Sequence, residues 1–61
     1  MRAQSFIGKV SMEGLKLMDE HINQWVERND IVPKTINQVF GNERHHHHDM
    51  EEPVLVTTIW Y

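Results

Sequence analysis

The sequence predicts an α+β fold, a three-stranded sheet in β-α-β-β order with one amphipathic helix packed on one face. Three observations predict it. Apolar residues between Met12 and Val26 recur at three- and four-residue spacing, residues 4–10 and 35–40 alternate as strands do, and residues 54–61 are apolar on both faces.

Residues 4–10 form the first strand, with Phe6, Gly8 and Val10 on one face and Ser5, Ile7 and Lys9 on the other. Ser11 stands where a helix N-cap is wanted, its hydroxyl able to accept from an orphan backbone N–H. Glu13 in the first turn faces the positive end of the helix dipole. The helix then spans residues 12–29. Met12, Leu15, Met18, Ile22, Trp25 and Val26 gather into one stripe about 140° wide, the mark of a helix lying on a sheet. Glu13, Lys16, Glu20, Asn23, Gln24 and Glu27 make the solvated face. Gly14 weakens the first turn by about 1 kcal/mol relative to alanine, which marks it as a point of close backbone approach. Asn29 and Asp30 end the helix.

Pro33 biases Val32 away from the helical region, and residues 35–40 form the second strand, an edge one. Gly41-Asn42 breaks it, and residues 41–53, polar and carrying four consecutive histidines, read as a long hairpin loop. Residues 54–61 form the third strand. Its two apolar faces place it at the centre of the sheet, antiparallel to both neighbours, after a right-handed crossover through the helix. A single helix covers one face only. Either Leu55, Thr57, Ile59 and Tyr61 or Val54, Val56, Thr58 and Trp60 must therefore point away from it, and a second copy is the economical cover. Leu17 and His21, on the helix flank beside Trp25, are candidates to meet a neighbouring subunit.

Sixty-one residues make one domain, residues 1–61. A chain of this length buries only about 60% of its unfolded surface, so it wants a staple. With no cysteine, disulfides and thiolate zinc sites are excluded, which leaves homo-oligomerisation, as a dimer or higher, or a histidine-based metal site. A net charge of −3 without a basic cluster argues against duplex nucleic acid. Neither a signal-peptide core nor a stretch of roughly 20 apolar residues is present, so the expectation is a cytoplasmic chain with no membrane partner.

With Ile22-Asn23-Gln24-Trp25 at the helix end, Ile36-Asn37-Gln38 in the second strand and Ile59-Trp60-Tyr61 in the last, in this order of elements, the chain resembles the short sporulation-associated and phage-encoded proteins of bacilli. It also resembles dodecins, flavin-storing oligomers of similar length, from which the four-histidine loop and the end at Tyr61 depart. The first resemblance implies a protein that acts stoichiometrically, sequestering a small signalling nucleotide or blocking a host protein.

Catalysis has no foothold. Ser5, Ser11 and scattered carboxylates make no recognisable nucleophile–base arrangement, and the isolated Gly8, Gly14 and Gly41 form no phosphate-cradling loop. The expectation is a binding protein without enzymatic activity. Trp25, Trp60 and Tyr61 are candidates for an aromatic clamp on a planar ring, although core and interface packing is the commoner fate of such residues. Lys34 and Arg44, at the two ends of the hairpin, are candidates to meet an anionic group. His45, His46, His47 and His48 are candidate ligands for zinc, nickel or copper. A consecutive run lacks rigid support, so adventitious binding of a divalent metal is expected ahead of a specific site, and no cofactor is implied. Three functions follow: capture of a nucleotide-like or planar ligand at a subunit interface, inhibition or adaptation of a host protein through the edge strand, and metal binding at the histidines.

Overall fold

A computed structural model describes residues 1–44 and 51–61. The elements are β1 (Ala3–Lys9), α1 (Met12–Arg28), β2 (Thr35–Arg44) and β3 (Glu51–Trp60). They build one antiparallel sheet in the order β1-β3-β2, so the chain is α+β with its last strand central.

The start of α1 follows from local chemistry. Ser11 has extended backbone, φ −151° and ψ 162°, and its hydroxyl accepts from the Gly14 N–H at 2.9 Å. At the other end the Asp30 N–H donates to the Glu27 carbonyl (3.4 Å) and the Ile31 N–H to the Val26 carbonyl (3.0 Å). These are the two bonds of a Schellman motif, and Asp30, at φ 53°, holds the left-handed position that glycine usually fills. Val26 and Ile31, both half-buried, stand at the two positions whose apolar contact accompanies that motif.

The helix is set down on β1 by two glycines. A Cβ on Gly14 would lie 2.5 Å from the Lys9 carbonyl oxygen, and one on Gly8 would lie 3.0 Å from both Cβ and Sδ of Met18. From there α1 reaches β3: the Thr57 hydroxyl donates to Met18 Sδ at 3.6 Å, and Trp25 meets Phe6 and Tyr61. The core is this seam, with Met18, Leu55, Thr57 and Ile59 buried and Ile59 only 1% exposed, joined on the opposite face by Val54 at 4%. The helix-side rows are Gln4–Ile59–Ile36, Phe6–Thr57–Gln38 and Gly8–Leu55–Phe40. Those of the far face are Ala3–Trp60–Thr35, Ser5–Thr58–Asn37, Ile7–Val56–Val39 and Lys9–Val54–Gly41. Of the two sets left open by the sequence, Leu55, Thr57, Ile59 and Tyr61 meet the helix, and Val54, Val56, Thr58 and Trp60 point away.

The hairpin is longer than the sequence suggests, which corrects the expected ends of both strands and the loop over residues 41–53. Gly41, Asn42, Glu43 and Arg44 stay in the ladder, opposite Val54, Pro53, Glu52 and Glu51. Asymmetric pairing explains why. β1 stops at Lys9, opposite Val54, so beyond it β3 belongs to a two-stranded ribbon, where Pro53 can lack its N–H without breaking a second ladder. Arg44 and Glu51 close the ribbon with a 3.3 Å ion pair. The first strand ends one residue early, at Lys9: Val10, next in the register opposite Pro53, donates to the Pro53 carbonyl at 3.2 Å, but Pro53 has no N–H to return the bond.

Candidate binding surface

The three aromatic candidates part company at the end of β3. Neighbouring residues of a strand point to opposite faces, so Trp60 and Tyr61 cannot share a side. Tyr61 falls on the helix side, its ring 5.2 Å from that of Trp25 at 74°. Phe6 approaches Trp25 from β1, 5.5 Å away at 66°. Both are edge-to-face contacts of the kind that aromatic quadrupoles favour. Trp25 and Tyr61 thus pack edge to face against each other. Trp60 lies on the far face between Ala3 and Thr35, 36% exposed.

The two cations do not converge. Lys34 precedes β2, where its backbone N–H donates to the Trp60 carbonyl at 2.8 Å, and Arg44 ends the same strand beside Glu51. Ten strand residues put about 33 Å between them, too far for one small anion. His45, His46, His47 and His48 lie outside the described residues, and among the described residues no group of three metal-ligating side chains gathers. Among the described residues, a groove of about 190 Å³ lined by Lys9, Val10, Ser11, Glu52 and Pro53 is smaller than the ~300–1,000 Å³ of ligand pockets. No described helix is long and apolar enough to cross a membrane.

What the structure does present is uncovered apolar surface, of which three residues share the edge strand β2. All ten residues of β2 are exposed. Ile36, Val39 and Phe40 show 56%, 64% and 73% of their surface. Val39 continues the far-face row of Ile7 and Val56. Ile36 and Phe40, in contrast, are on the same side as the helix, which covers β1 and β3 and stops short of them. Sequence reasoning identified the edge strand but missed this shelf. The usable signal was the count of helix-side positions: a stripe that meets β1 and β3 has no residues left for a third strand. Leu17, on the helix flank, is exposed as well. No protein-family model, no curated protein and no solved structure matches this chain.

Proposed function

We propose that the chain is a binding protein without enzymatic activity that works as a homo-oligomer and holds a small planar, nucleotide-like ligand where subunits meet. The observation that carries the reading is the exposure of β2, whose Ile36, Val39 and Phe40 leave apolar surface on both faces of one strand. The groove beside Pro53 is too small for such a ligand, which favours a site with walls from two copies. Trp60, open on the far face, and Phe40, 73% exposed on the helix side, are aromatic residues placed to stack on a ring there.

The test is a thermal-shift and calorimetric screen against nucleotides, cyclic nucleotides and flavins, with the oligomeric state followed in parallel. Stabilisation by one class, lost in Trp60→Ala, is the expected result. Indifference to every class by an intact oligomer removes the ligand half of the reading.

The same exposed strand favours a second reading, a protein inhibitor or adaptor whose partner adds a strand to β2. Recovery of one stoichiometric partner, lost when β2 carries a charge at Val39, separates it from the first.

A further inference from the structure

We propose that β2 pairs edge to edge with β2 of a second copy in one register, with Gln38 on the two-fold axis and Ile36 of each chain opposite Phe40 of the other. The proposal rests on the homo-oligomeric reading above and names the contact.

Edge strands of stable monomers are usually blunted by a charge, a proline or a bulge. β2 carries none of these between Thr35 and Asn42, a run of uncharged residues exposed throughout. The opposite edge differs: β1 is shorter, ends in Lys9, and has α1 seated on it through Gly8 and Gly14. Of the two edges, β2 therefore offers the longer open and uncharged ladder, and a second copy offers the same ladder.

Antiparallel pairing about a two-fold axis keeps directly opposed residues on one face, which limits the registers to a few. With Val39 on the axis, Lys34 faces Arg44 of the second copy, like charge against like, and Ile36 faces Asn42. With Phe40 on the axis, Ile36 faces Arg44. With Asn37 there, Lys34 faces Phe40. Only Gln38 on the axis sets the two apolar residues of the helix-side shelf against each other, Ile36 with Phe40 and Phe40 with Ile36. An aromatic ring opposite a β-branched side chain is a favourable cross-strand pair. This register uses residues 34–42 and leaves Arg44 with Glu51. It gives a six-stranded sheet with both helices on one side, and between them a trough floored by Ile36, Gln38 and Phe40 of each chain. The paired edge is smaller than the ~20–30 residues a side of a standard interface, which puts the association at the weak end of the range.

The chain has no cysteine, so single-cysteine variants report proximity cleanly. Directly opposed Cα atoms lie about 4.5 or 5.5 Å apart, within disulfide reach, whereas the two Asn37 positions, offset along the strand, lie beyond about 7 Å. Gln38→Cys, oxidised with diamide at micromolar concentration, is expected to form a disulfide dimer at least about tenfold faster than Asn37→Cys. Phe40→Lys, an exposed change whose fold is checked by circular dichroism, is expected to abolish the dimer. Equal rates for the two cysteine variants overturn the register. An oligomer in sedimentation that neither Gln38→Cys captures nor Phe40→Lys disrupts overturns the edge contact while leaving the homo-oligomeric reading intact. A monomer at every concentration overturns both.

Discussion

The Trp25 and Tyr61 rings meet edge to face with centroids 5.2 Å apart, while Trp60, one residue earlier, stands on the opposite side of the sheet. The contact joins the last turns of the helix to the end of the central strand, and Phe6 completes it from β1. Losing the Trp25 ring therefore opens the seam that holds three elements. Trp25→Ala is expected to cost about 3 kcal/mol, the lower end for an aromatic truncation because Trp25 is half-buried. That approaches the whole stability of a domain this small, so far-ultraviolet circular dichroism should show a largely unfolded chain. Trp60→Ala, on the far face, should cost about 1 kcal/mol or less in urea unfolding.

Gly14 offers a sharper test of how the helix sits. Alanine there gains about 1 kcal/mol of helix propensity, so an open site would be stabilised. The added Cβ would meet the Lys9 carbonyl at 2.5 Å, and backbone cannot swing aside as a flexible side chain does. Gly14→Ala is expected to lower the melting temperature, with a net loss of about 1 kcal/mol or more. A rise would mean that helix and strand stand further apart.

Asp30 carries two costs at the helix end. Its left-handed backbone, φ 53°, suits glycine better, and its carboxylate lies at the negative end of the helix dipole. Asp30→Gly is expected to raise the unfolding free energy by about 0.5 kcal/mol, part of the gain being offset by the freedom of glycine in the unfolded chain. Asp30→Val should lower it, since a β-branched residue resists that conformation. Chemical denaturation of the three proteins side by side gives the order.

Thr57 is a buried hydroxyl in an apolar seam, donating to Met18 Sδ at 3.6 Å and accepting from the Gln38 side-chain amide at 3.3 Å. Sulfur is a weak acceptor, and Gln38, being exposed, can turn to water. Thr57→Val exchanges the hydroxyl for a methyl of similar size and is expected to leave stability unchanged or raise it by up to about 1 kcal/mol. A loss above about 2 kcal/mol in urea titration would show that the pair contributes more than its geometry implies.

What the sequence made legible was local. Ser11 capping α1 and Gly14 at the close approach each follow from the chemistry of neighbouring residues, and the double apolar face of β3 announced a central strand. Its companion ambiguity was built in: a strand apolar on both sides cannot say which side meets the helix, and that awaited the contacts of Met18 and Trp25. Gly41-Asn42 looked like a break because those residues are poor strand formers. The ladder they keep with Pro53 and Val54 is a non-local fact. Adjacent Trp60 and Tyr61 were bound to face apart, but the closure of Trp25 on Tyr61 depended on where the helix comes to rest. The same placement leaves Ile36 and Phe40 bare, so the shelf on β2 is a consequence of packing rather than of pattern.

Self-association through β2 is the claim on which the binding role depends, and sedimentation equilibrium of the untagged full chain across the micromolar range tests it most directly. The account predicts a mass of two or more chains that falls towards a single chain on dilution, and a single chain throughout for Phe40→Lys. A folded single chain at every concentration, with cooperative unfolding and no dependence on dilution, would contradict it.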